Sequence, residues 1–290
     1  MLQASELILN SRGAVYHLDL LPEELAPVVF FVGDPDRVAK VSKYFDRIDT
    51  IRQHREFVTH TGEIGGRRYT VLSTGIGTDN IDIVVNELDT LANISLDSRM
   101  PRTELTSLQI VRIGTSGSMH EAIPVDAFVV SDHAIGTDGL LNYYAYTPSE
   151  QEQSLLQAFS EQMQYPAQLA APYAIGGDTE LVKALESDAV RGITVTASGF
   201  YAPQGRTLRY AMAYPGLMNQ YRNVQWNGLQ VTNFEMETAG IYGLSKLLGH
   251  RACSISAIVA NRAAGTFSVK SDETIDRLIR YTLENVHALK

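Results

Sequence analysis

Five short stretches of the chain combine residue types and spacings capable of chemistry. Gly33-Asp34-Pro35-Asp36-Arg37 follows the apolar run Val28 to Val32. A glycine at that point lets a ligand approach the backbone, Asp34 suits a helix cap, and Pro35 suits the first helical position. An anion would meet free amides and the positive end of a helix dipole, with Arg37 beside it. An ordinary capped turn with a solvated arginine has the same spelling. Arg112 stands inside the apolar run LQIVRI, ahead of Gly114-Thr115-Ser116-Gly117-Ser118. A buried arginine requires an acidic side chain or a bound anion, and the small residues after Ile113 read as a nest of amide and hydroxyl donors at a strand end. Ser73-Thr74-Gly75-Ile76-Gly77-Thr78-Asp79 is a third small-residue end. It lacks a Lys-Ser/Thr ending and so is not a nucleotide-triphosphate loop. Two Gly-rich ends, each with an arginine, suit a phosphate.

The other two stretches have the chemistry of a sugar and a flat ring. Glu235-Met236-Glu237 follows the run Val231 to Phe234 and precedes a helical pattern with Leu244, Leu247 and Leu248. Two carboxylates straddling a thioether can accept from paired hydroxyls while the methionine packs a sugar face; equally, both can complement a helix dipole. In Phe200-Tyr201-Ala202-Pro203-Gln204-Gly205-Arg206, an amide and a guanidinium two residues apart sit next to aromatic rings. Gln204 can donate and accept, and Arg206 can donate to a carbonyl oxygen, which matches the polar edge of a pyrimidine. Polar loops of no special function share this composition.

The elements that must position these residues are legible as alternating periods. Apolar, β-branched runs occupy Val28 to Val32, Phe57 to His60, Tyr69 to Ser73, Gln109 to Ile113 and Ala127 to Val130, then Gly192 to Ala197, Val231 to Phe234 and Ala252 to Val259. Between them, Asp79 to Leu91 places Ile81, Val84, Val85, Leu88 and Leu91 on one face, and Ser271 to Leu289 does so with Ile275, Leu278, Ile279 and Val286. Thr147-Pro148-Ser149-Glu150 reads as a helix start with Thr147 as cap, the helix running to about Met163. Strands alternating with helices imply an α/β fold, a mixed and largely parallel sheet flanked by helices on both faces, whose ligands sit beyond the strands' carboxyl ends. With no repeat, low-complexity tract or linker, residues 1–290 read as a single domain. The net charge of -9, with no basic stripe, disfavours nucleic acid. No apolar run is long enough to span a bilayer, and Glu6 stands where a signal peptide carries positive charge, so a cytoplasmic location is expected. Cys253, the one cysteine, reads as core filler.

Taken in order, GDPDRV, HREF, STGIG, VRIGTSG, FYAPQGR, NFEMET and ANRA resemble the nucleoside phosphorylase family that contains bacterial uridine phosphorylase and the hexameric purine nucleoside phosphorylases. The resemblance spans the chain from Tyr16-His17-Leu18 to the last helix. It implies a phosphate held by Gly33, Arg37, Arg112 and Thr115, with Arg55 reaching in from a neighbouring subunit. It implies a ribose held by Thr115, Met236 and Glu237, with His17 of the neighbour at the 5′-hydroxyl. The base would lie among Phe200, Gln204, Arg206, Glu235 and Arg262, and the catalytic groups would be Arg112, Arg206 and Arg262. At least a homodimer follows, with a hexamer as the larger alternative.

Within that family the Phe200, Gln204 and Arg206 spacing resembles the uridine enzymes. Purine enzymes carry a Ser-Asp pair after the last central strand, where this chain has Asn261-Arg262. An arginine does not donate its proton at neutral pH, so acid catalysis on a purine is missing. The expected reaction is therefore uridine plus phosphate to uracil plus ribose 1-phosphate, without an organic cofactor. The resemblance also implies potassium at a subunit interface through Glu56, Ile76 and Asn80. Departures from the family pattern fall at Thr78-Asp79-Asn80, after Arg262, and in Asp138 to Tyr146. The alternatives are a purine or broad-specificity nucleoside phosphorylase, a nucleosidase in which water replaces phosphate, and a non-catalytic nucleoside-binding protein.

Overall fold

The structure is a computed structural model and describes residues 1–289; Lys290, the last residue of the expected single domain, lies outside them. Two compact units can be distinguished, Met1–Arg112 with Leu244–Ala252, and Ile113–Gly243 with the segment from Cys253 onward. No helix among the described residues is long and apolar enough to cross a membrane.

The first unit contains β1 (Val28–Val32), α1 (Pro35–Ser42), β2 (Arg47–His54), β3 (Phe57–Ile64), β4 (Arg67–Ser73), α2 (Thr78–Asn93), the short pair β5 (Ile94–Ser95) and β6 (Met100–Pro101), and the start of β7 (Gln109–Ser118). Its strand order is β7-β1-β4-β3-β2. β1 runs parallel to both neighbours and is buried along its whole length, which is why it reads as an unbroken apolar run. The outer β2 and β3 are antiparallel. β2 was not legible as a strand: it is an edge whose residues are exposed or half-buried, so charge replaces apolar alternation.

The second unit begins inside β7 and continues with β8 (Phe128–Gly136), α3 (Glu150–Gln162), β9 (Tyr173–Gly176), α4 (Thr179–Leu185), β10 (Val190–Thr196), α5 (Leu217–Tyr221), β11 (Gln225–Trp226), β12 (Leu229–Glu235), α6 (Thr238–Leu247), β13 (Arg251–Asn261), β14 (Thr266–Phe267) and α7 (Ser271–Ala288); α6 and β13 each cross the unit boundary. Here the order is β11-β12-β10-β8-β13, with β10 parallel to β8 and β12 and the marginal pairings antiparallel. The expected α/β class with a mixed sheet is what the chain forms; β1 and β10 run parallel to both their neighbours, whereas β8 with β13 and β7 with β12 pair antiparallel.

Two expectations are corrected. β7 does not end at Ile113 in an open nest: Gly117 and Ser118 pair antiparallel with Phe234 and Asn233, so their backbone groups belong to a ladder. The cap of α3 is Ser149, not Thr147. Thr147–Glu150 and Ser149–Glu152 both spell a capping box, and tertiary partners choose between them. Glu152 is buried and accepts from Ser149 N at 2.7 Å, from Tyr146 Oη at 2.5 Å and from Gly176 N of β9 at 3.0 Å. Replacing Ser149 by Ala should therefore lower stability by about 1 kcal/mol, whereas Thr147→Ala should change it by under about 0.5 kcal/mol, read from urea unfolding midpoints. Equal effects would return the cap to Thr147.

Candidate active site

In the first unit, Asp34 caps α1 by accepting from Asp36 N at 3.0 Å, and Pro35 opens the helix. Gly33 precedes this cap. A Cβ built on Gly33 would meet only Gly75 O, at an ordinary 3.5 Å, and its φ is not left-handed. Packing within the unit therefore does not demand glycine there, and the missing side chain leaves the backbone open to approach. Arg37 lies in the first turn of α1. Arg112 is buried in β7 and pairs in register with Phe31, two residues before Gly33; Val32 pairs with Ser73 on the other side. The ends of β1 and β4, α1 and Arg112 thus converge in one unit. Thr115 is half-buried further along the same strand, in the second unit.

Arg55 is the first residue of the two-residue turn joining β2 to β3, since His54 pairs with Phe57. Its φ of 54° is left-handed, a strained choice for arginine that presents the side chain at an exposed tip. The neighbouring His54 donates from Nδ1 to the backbone oxygen of His17 at 3.1 Å. Arg55 and His17 are therefore tied into one surface. The loop carrying His17 is itself built: Asn10 and Arg12 bond to Asp19, and Arg12 and Arg52 both bind the buried Glu24. Burial works against the Glu24 carboxylate, but the Arg52 contact and the Leu21 amide outweigh it and hold its pKa below the ordinary value.

In the second unit, Glu235 ends β12 with both carboxylate oxygens engaged. It accepts from Thr196 Oγ1 at 2.7 Å, from Glu237 N at 2.9 Å, and from Thr238 N at 2.9 and 3.0 Å. These bonds cap α6 and join the ends of β10 and β12. The dipole-complementing reading of this carboxylate therefore describes its geometry, and any part it has near a base is through what it positions. Met236 is half-buried and Glu237 buried at the same junction. Behind it, a buried polar row crosses four strands: Ser131 Oγ to Thr194 Oγ1 at 2.6 Å, Thr194 Oγ1 to Asn233 Oδ1 at 2.9 Å, and Asn233 Nδ2 to Ser116 Oγ at 3.0 Å.

The loop after β10 brings Phe200, Gln204, Arg206 and Arg262 together. Arg206 lies 3.8 Å from the Phe200 ring centroid and donates through Nη1 to Gln204 Oε1 and to Phe200 O, each at 2.6 Å. Arg262 Nη2 donates to Gly205 O at 3.0 Å, and its backbone N to Ser118 O at 2.9 Å. Gly205 is left-handed, and a Cβ there would stand 2.3 Å from Met218 Cγ, so the turn needs glycine. Gln204 is buried while Phe200 is half exposed. Burial first, then the charge of Arg262, brings the Arg206 pKa down to about 10. Among the described residues, neither guanidinium is paired with a carboxylate.

Residues 27–286 match the Phosphorylase superfamily. The chain belongs to that superfamily. It is 31% identical over 267 residues to the uridine phosphorylase of Thermococcus kodakarensis, covering 89% of this chain and 81% of that one. The uridine phosphorylase of Escherichia coli is 28% identical over 261 residues, covering 87% and 88%. Among solved structures, the Trypanosoma brucei nucleoside phosphorylase, which shows uridine phosphorylase activity, superposes with a TM-score of 0.89 at 31% identity, over 98% of this chain and 100% of that one.

Two residues that hold these segments in place carry no local sequence signal. Thr196 is a strand residue like its neighbours until Glu235 is seen opposite it. Glu87, on α2, holds the His17 segment at a separation of seventy residues. Of the expected cation set, Asn80 Nδ2 donates to Glu56 Oε1 at 3.3 Å, and Ile76, in the turn before α2, is exposed. If Glu235 holds the junction as described, Glu235→Ala leaves three buried donors unmet and should cost about 2 to 4 kcal/mol, against about 1 kcal/mol for Thr196→Val, by guanidinium unfolding. A loss below about 0.5 kcal/mol for Glu235→Ala would remove it from that role.

Proposed function

We propose that the protein is a pentosyltransferase that cleaves uridine with inorganic phosphate, releasing uracil and ribose 1-phosphate. The observation that carries this reading is the cationic pair Arg206 and Arg262 beside Gln204 and Phe200, with no carboxylic acid between Asn261 and Arg262 and the next strand. A purine leaving group needs a proton at its imidazole nitrogen. A uracil leaving group needs its negative charge stabilised, and fixed guanidiniums in a partly desolvated loop do that. The names of the relatives, at up to 31% identity over most of the chain, support the same substrate.

The chemistry follows from the two sets of residues. Phosphate, held through Arg37, Arg112, Thr115 and the Gly33 amide, lies on the α face of the ribose. The C1′–N1 bond lengthens first, and its electron pair passes to the base, where Gln204, Arg206 and Arg262 stabilise the anion. Positive charge on the ribosyl group is met by the phosphate, one of whose oxygens forms the new bond to C1′. Uracil then takes a proton from solvent. Met236 and Glu237 fix the sugar, Glu237 by accepting from the 2′- and 3′-hydroxyls. No covalent enzyme intermediate is required. In this reading Arg55 and His17 serve a second copy, so the working unit is at least a dimer. Glu56, Asn80 and the Ile76 carbonyl supply oxygen donors suited to a monovalent cation at such a contact, and no step passes through it.

Uracil release from uridine, followed by ultraviolet absorbance, should require phosphate, and inosine under the same conditions should be inert. Release without phosphate would make the protein a nucleosidase. Preference for inosine would mean that the base loop has another partner.

A further inference from the structure

Every hydrogen bond made by Glu87 among the described residues goes to His17 or Leu18. Its Oε1 accepts from His17 N at 2.9 Å and faces His17 Nδ1 at 2.6 Å, while Oε2 accepts from Leu18 N at 2.8 Å and His17 N at 3.1 Å. An ionised carboxylate only accepts, so the imidazole nitrogen facing it must carry the proton. In the neutral form of the ring the lone pair is then left on Nε2, which has no partner among the described residues and belongs to a side chain 28% exposed. The ring has little freedom to turn. Tyr16 packs edge-on at 5.0 Å and 87°, and the backbone oxygen of His17 is held by His54.

We propose that Glu87 is a positioning residue that fixes the proton of His17 on Nδ1 and aims Nε2 outward, as the acceptor for the primary hydroxyl of a nucleoside bound by a second copy of the chain. This rests on the proposed function for the identity of that hydroxyl, but not for the state of the ring. The carboxylate does three jobs that a neutral amide cannot do together: with one oxygen and one NH2 group, glutamine must set a donor against either the ring Nδ1–H or the Leu18 amide. Either arrangement turns the ring or moves its proton, as loss of an orienting partner does for other functional histidines.

The test has two readouts. Long-range proton–nitrogen correlation on the unmodified protein, with His17→Ala to assign the signal, should show the Nδ1–H form of His17, and Glu87→Gln should shift the ring away from it. In kinetics, the preference for uridine over 5′-deoxyuridine should fall about tenfold in Glu87→Gln, mostly through KM for uridine, to the level of His17→Ala, with no further fall in the double variant. An Nε2–H ring in the unmodified protein, or an unchanged preference in Glu87→Gln, overturns the proposal. Should the unmodified protein leave uridine intact, the uridine reading fails, and the ring measurement alone decides the role of Glu87.

Discussion

The junction of β10, β12 and α6 depends on one buried carboxylate. Glu235 takes the hydroxyl of Thr196 from the end of β10 and two backbone amides from the start of α6, and its own backbone oxygen accepts from Ala197 N at 2.9 Å. Its charge sits at the positive end of α6, where a carboxylate is favoured. Strand β10, strand β12 and helix α6 therefore end or begin around one atom group. The loop with Phe200, Gln204 and Arg206 leaves from β10, and Met236 and Glu237 leave from β12. Loosening that carboxylate would move both sets of residues at once.

The second constraint is charge. A chain of net charge -9 that handles an anion must concentrate cations where the anion is to be held. It does so with few residues. Arg112 is buried in a strand, and Arg206 is partly desolvated and lies close enough to Arg262 that burial and then that charge disfavour its proton. Carbonyl oxygens of Phe200 and Gly205 and the amide oxygen of Gln204 orient the last two without neutralising them. Oriented but uncompensated charge is the condition for stabilising a leaving anion without reorganising at the moment of reaction.

The fold was legible wherever burial is two-sided or periodic: β1 and α2 were readable because whole strands or one helix face are apolar. β2 was not, because an exposed edge needs no apolar pattern, and the end of β7 was misjudged because small residues spell both a nest and a pairing strand. The helix start at Ser149 turned on a contact with β9 that no local window contains. Among site residues, motifs announced the arginines and the Glu235-Met236-Glu237 turn, but not the division of labour between the glutamates. That division depends on Thr196, and the state of His17 depends on Glu87, each distant in sequence.

The central claim is that the ribosyl group passes to phosphate rather than to water. Phosphorus NMR of a reaction containing uridine and inorganic phosphate tests it most directly. The account predicts a sugar 1-phosphate resonance that grows one for one with uracil while the phosphate signal declines by the same amount. Uracil appearing while all phosphorus stays as inorganic phosphate would contradict it.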